Sequence, residues 1–102
     1  MLQLRQSCEH CDKDLPPAAR DAMICSFECT FCAACVELLF ENVCPNCGGG
    51  FQRRPARPSQ PHRPPWHLGE HPARADRVHA PKDLAEIREL QRRVKDIDPY
   101  AR

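Results

Sequence analysis

Long apolar runs are missing from this chain of 102 residues. No segment approaches the roughly 18 consecutive apolar residues of a membrane span, and the opening MLQLRQSCEH lacks the basic region and apolar run of a secretory signal. A soluble cytoplasmic protein without a membrane partner is the expectation. Charge of one sign is scarce too: 15 Lys and Arg stand against 14 Asp and Glu, for a net +1. Any basic signal must therefore be local. Residues 1 to 51 are net −4, residues 52 to 65 are net +4 with no acid, and the remainder is net +1. No Ser/His/Asp or paired-carboxylate constellation points to nucleophilic or acid–base catalysis.

What the chain does have is cysteine. All eight lie between Cys8 and Cys47, six of them from Cys25 onward, whereas the eleven prolines concentrate after residue 52. The chain thus splits into a Cys-rich half and a Pro/Arg-rich half. A domain this small buries a modest share of its surface and often needs a staple. In a reducing compartment that staple is metal rather than disulfide.

The cysteines follow C-x2-C-x13-C-x3-C-x2-C-x2-C-x8-C-x2-C. Cys8/Cys11, Cys32/Cys35 and Cys44/Cys47 have the knuckle spacing that lets two thiolates reach one ion, and Cys25/Cys29 has one residue more. Tetrahedral zinc takes two such pairs, so eight sulfurs make two closed four-thiolate sites and bind two Zn2+. Four thiolates also suit an iron–sulfur cluster, but the even division into pairs of pairs favours zinc. A redox C-x2-C would need a βαβ scaffold that is absent here. Spacing alone allows two pairings, one in sequence, with Cys8, Cys11, Cys25 and Cys29 in one site, and one interleaved.

The order and spacing resemble the cross-brace of RING-type zinc domains, including the Cys44-Pro45-x-Cys47 knuckle, with Cys29 where many such domains have histidine. The resemblance implies interleaving: Cys8, Cys11, Cys32 and Cys35 in the first site, and Cys25, Cys29, Cys44 and Cys47 in the second. His10 and Gly48 stand where ubiquitin-ligase members usually carry an apolar and often a basic residue, so the surface that recruits a conjugating enzyme is poorly matched. More closely, the run from Cys8 through Arg54, with its CDKDLPP, ICSFECTFC and CPNCGG segments, resembles a family of short bacterial proteins known only as a domain of unknown function. That resemblance implies a bacterial cytoplasmic zinc protein and supplies no activity.

Between Cys35 and Cys44, Val36, Leu39, Phe40 and Val43 fall at helical spacing and predict a two-turn helix. With Ile24, Phe27 and Phe31 they form the expected core. Leu38 lies off that stripe and is a candidate partner contact. Gly48, Gly49 and Gly50 suit the left-handed turn that brings backbone amides to sulfur.

Prolines 55, 58, 61 and 64 repeat every three residues. Polyproline II has three residues per turn and rises ~3.1 Å per residue, so an extended rod would carry Arg54, Arg57, Gln60 and Arg63 along one edge at ~9 Å intervals. From Pro81 to Ile97, Leu84, Ile87, Leu90, Val94 and Ile97 share one stripe of an amphipathic helix, with Glu89 and Arg93 as an i,i+4 pair. That helix could dock on the zinc domain, pair with its own copy or enter a partner's groove.

The expected architecture is a small zinc-stabilised domain of cross-brace, RING-like or treble-clef class at residues 1–51. A flexible Pro/Arg-rich linker at 52–80, an amphipathic helix at 81–98 and a disordered terminus at 99–102 follow. Closed metal sites leave no position for water or substrate, so the expected function is a non-catalytic protein-interaction module or adaptor. Leu38, Arg54, Arg57, Arg63, Leu84, Ile87, Leu90 and Val94 are the candidate partner contacts. The alternatives are a nucleic-acid binder using the 53–63 arginines, a zinc store and, less favoured, RING-type ubiquitin-ligase activity.

Overall fold

The computed structural model describes residues 1–102. Its framework is a three-stranded antiparallel sheet in the order β2-β1-β3, with β1 at Ala22–Ile24, β2 at Thr30–Cys32 and β3 at Gln52–Arg53. Ala22 pairs with Cys32 and Ile24 with Thr30, while Met23 faces Arg53 on the other side. The β1–β2 turn holds Cys25 and Cys29, and β2 ends on Cys32. One short strand therefore separates ligands of the two centres by about three residue steps, ~10 Å at ~3.3 Å per residue.

Three phenylalanines fill the space beneath the sheet. Phe31, Phe40 and Phe51 are all buried. Phe31 meets Phe40 and Phe51 edge-on, at 4.8 and 5.6 Å between ring centres. Such pairs contribute ~0.5–1.5 kcal/mol each beyond the area they bury. Leu15, Ala22 and Val36 join this core, together with buried cysteines. Phe27, expected inside, is 71% exposed at the tip of the β1–β2 turn. Its backbone is committed to the metal knuckle, which aims the side chain outward.

The two-turn helix expected after Cys35 is instead a single wide turn, Cys35–Leu39, closed by an i→i+5 bond from the Phe40 N–H to the Cys35 carbonyl. Widening the turn lets Val36, Phe40 and Val43 all bury while the Cys35 thiol still faces the first centre. Leu38 projects outward and is 84% exposed.

Residues 52–80 are tied down along their length rather than free. Gln52 and Arg53 extend the sheet, and the Arg74 and Ala80 amides donate to the Leu4 and Glu9 carbonyls. Arg77 pairs with Asp12 and Asp14. The straight polyproline rod does not form either, because the Leu68 amide bonds back to the Pro58 carbonyl and folds the segment on itself.

The amphipathic segment forms α1, Leu84–Val94, and docks on this chain's own core. Ile87 is 3% exposed, and the Gln91 side-chain amide donates to the Leu39 carbonyl. Leu90 and Val94 are half-buried, whereas Leu84 and Ile97 at the ends of the stripe stay exposed. The terminus is ordered: Pro99–Ala101 make a 3-10 turn, and Arg102 donates to the carbonyls of Asn42, at 2.7 Å, and Gly48. No helix is long and apolar enough to cross a membrane.

Candidate metal centre

Knuckle geometry follows from the backbone. In the segment 8–12 the Asp12 amide bonds to the Cys8 carbonyl at 2.9 Å, and in 44–48 the Gly48 amide bonds to the Cys44 carbonyl at 2.8 Å. Both closing residues are left-handed, with φ of 63° at Asp12 and 80° at Gly48. Glycine takes that conformation without steric cost, and aspartate is among the few other residues that tolerate it. These turns point amides at sulfur: Cys11 N–H to Cys8 Sγ at 3.5 Å, Phe27 N–H to Cys25 Sγ at 3.3 Å, and Gly49 N–H to Cys47 Sγ at 3.4 Å. Donors so placed stabilise negative charge on a thiolate and orient it toward an ion.

The thiols of Cys8, Cys11, Cys32 and Cys35 converge, all within 4.8 Å of one another. Cys8 to Cys35 and Cys11 to Cys32 are each 3.8 Å between sulfurs, and all eight cysteines are free. A tetrahedron with metal–sulfur bonds of ~2.3 Å has edges of ~3.8 Å, so these four residues fit a metal ion. Cys25, Cys44 and Cys47 form a second group on the same criterion. Cys29 stands outside that group, held in the same turn as Cys25 by the bond from the Cys25 N–H to its carbonyl at 3.2 Å. The chain thus assembles one set of four thiols and one of three with a fourth beside it. In both, cysteines from non-adjacent pairs meet.

Burial pushes the thiols of Cys35 and Cys44 well above their ordinary range, and it also raises Cys8 and Cys29. Cys11 moves the other way: its slight burial acts upward but is outweighed by hydrogen bonds from the Lys13 backbone and the neighbouring thiols. A metal ion supplies the positive charge that reverses the penalty, displacing protons as it binds. The bound ion would cross-link distant segments of a small chain.

Two residues with no local signal join the centres. Glu9 sits inside the first knuckle, yet its 8% exposed carboxylate accepts a 2.8 Å hydrogen bond from Asn46 inside the last one. They are 37 positions apart. Only their shared placement between paired cysteines could have drawn attention to them.

The arginine edge is not a free edge. Arg54 is 4% exposed and donates to the carbonyls of Arg5 (2.6 Å), Leu15 (3.2 Å) and Pro16 (2.9 Å). Arg57 donates to Leu2 and His71 carbonyls, both at 2.7 Å. Of the three, Arg63 alone is exposed. Once the rod is folded back, these guanidinium groups satisfy backbone carbonyls that no strand partner reaches.

A small sheet with paired cysteine clusters defines a candidate metal-binding domain. The family model described as "Protein of unknown function (DUF1272)" matches residues 1–57, and the chain belongs to that family. An uncharacterized protein of Rhizobium meliloti (strain 1021) is 52% identical over 85 residues, covering 83% of this chain and 94% of that one. No solved structure matches.

Proposed function

We propose that this chain is a non-catalytic two-zinc protein of cross-brace, treble-clef class that serves as an interaction module or adaptor for a protein partner in the cytoplasm. The observation that carries the reading is the mutual closeness of four thiols at the first centre. Four protein sulfurs around one ion leave no position for water or substrate, which suits structural rather than catalytic zinc. The alternation of pairs, Cys8/Cys11 with Cys32/Cys35 and Cys25 with Cys44/Cys47, supports the cross-brace. Eight unbridged thiols suit a reducing compartment. Leu38 and Phe27 support the partner role, since both are large apolar side chains held outward by turns that the metal ligands fix.

The test has two readouts. Metal analysis of the purified full chain should give two zinc ions, and iron in their place would sink the zinc assignment. The zinc-loaded chain and its Leu38→Asp variant are then used to capture proteins from the native cytosol after nuclease treatment. A defined protein held by the parent and lost by the variant supports the module. Equal recovery by both would remove Leu38 from the interface, and no nuclease-resistant partner would remove the adaptor reading.

A further inference from the structure

One cleft on the molecule is lined by cationic side chains alone among its charged groups. It has a volume of about 530 Å3, and Arg20, Arg53 and Arg54 line it together with alanines and Pro55. Arg20 lies just before β1, Arg53 on β3 and Arg54 directly after it, so the sheet brings together arginines 33 residues apart in sequence. None of the three makes an ion pair. The acid next in sequence to Arg20, Asp21, is committed to Lys13, and the others that pair do so with Arg74, Arg77, Arg92, Arg93 and Lys95.

Arg54 is the buried member of the lining. Its terminal nitrogens bond only to neutral carbonyls, and its Nε is buried with no partner. A guanidinium that is 4% exposed and lacks a counter-charge is costly unless a negative group comes near. Arg20 and Arg53 are exposed, and no hydrogen bond or ion pair of this structure engages their guanidinium donors. Guanidinium groups present planar donor pairs matched to phosphate oxygens.

We propose that this cleft is an anion site that receives a phosphate group, with Arg20 and Arg53 as its hydrogen-bond donors and Arg54 as its buried charge. It is distinct from both cysteine centres and from the outward faces of Leu38 and Phe27, and it stands whether or not the adaptor reading does. A small phosphorylated molecule and a nucleic-acid backbone offer the same oxygens to such a site.

The test uses the metal-loaded full chain. Inorganic phosphate is titrated in low salt while backbone amide resonances are followed, and a short single-stranded oligonucleotide is titrated in parallel. Saturable shifts confined to residues 18–20 and 53–56 are the expected result. Arg20→Glu and Arg53→Glu should each weaken binding by about tenfold or more, the worth of one lost charge-assisted hydrogen bond. Arg63→Glu, exposed and outside the cleft, should leave affinity for phosphate unchanged. Because Arg20 and Arg53 are exposed and unpaired, unchanged metal content and dispersion of the spectrum verify that these variants fold. An oligonucleotide that saturates the same residues far below the phosphate concentration, with a steep salt dependence, identifies the backbone source. Comparable behaviour of the two probes identifies a small phosphorylated ligand. Shifts that never saturate, or that persist undiminished in both charge reversals, would overturn the site.

Discussion

The two cysteine centres use the same knuckle and reach different degrees of closure. In the first, four sulfurs lie within 4.8 Å of one another, and two of their separations match the edge of a tetrahedron. In the second, three sulfurs meet that limit and Cys29 falls outside it. Burial is alike in the two, with two cysteines buried, one half-buried and one exposed in each. The difference lies in what flanks them. Cys32 and Cys35 leave opposite ends of one tight bend between β2 and the wide turn, whereas Cys25 and Cys29 sit in a longer hairpin turn with left-handed Glu28 between them. A rigid neighbour on each side preorganises ligands, and a loop leaves one of them to be drawn in by the ion.

The most forceful way to break this comparison is Cys32→Ser. Structural zinc contributes ~10–16 kcal/mol of folding free energy per site, so this change should unfold residues 1–51 and release both ions. A variant that keeps two metals and its fold would show that Cys32 is not a ligand. Cys29→Ser should do less: metal content is expected to fall from two to one while the first centre and the sheet persist. Loss of both ions would mean that the centres are not separable.

Acidity sharpens the contrast between loaded and empty protein. Burial favours the neutral form of the Cys35 and Cys44 thiols, so an ion must displace their protons to bind there. The loaded fold needs thiolates and should fail as pH falls and protons displace metal. Metal content and melting temperature of the loaded protein should therefore drop together from neutral to mildly acidic pH. A protein that keeps its fold while losing metal would indicate that metal is not bound through these thiols.

Smaller changes probe the supports. Ile87→Ala should cost ~2–5 kcal/mol as a buried large-to-small change, and a value near zero would show that α1 does not rest on the core. Gly48→Ala should cost ~1–2 kcal/mol from its left-handed φ, because a Cβ there would meet its nearest atom, Leu90 Cδ1, at an ordinary 3.9 Å. Gly48→Asn should cost less, since asparagine accepts that backbone. Denaturant titration of the loaded protein distinguishes these, and equal losses for Ala and Asn would point to crowding instead of conformation.

Much of the metal region was legible because its signals are local. Pair spacing, the left-handed Gly48 and the exposure of Leu38 all follow from residues within a few positions of one another. What the sequence concealed depends on distant partners. Arg54 looks like a member of a solvated arginine row until Arg5, Leu15 and Pro16 offer it carbonyls from 38 to 49 positions away. Period-three proline describes a rod only while nothing pulls the chain back. Phe27 reads as core by hydropathy, and Gln91 reads as surface, yet the turn geometry exposes the first and the Leu39 carbonyl buries the second. The long helix shortened for a related reason: the terminal Arg102 reaches the last knuckle, and the chain must bend after Val94 to bring it there.

Arg54, Arg57, Arg74 and Ala80 all grip the segment from Leu2 to Glu9, and each is made after the last cysteine. That order has a consequence for the newborn chain. At ~5–20 residues per second, the 33 residues from Cys47 to Ala80 take ~2–7 s to synthesise. All eight thiols therefore leave the ribosome seconds before the segment that covers the first knuckle. The cysteine clusters can therefore gather before the later residues tie down the N-terminal segment, and Cys11 stays exposed in the finished fold.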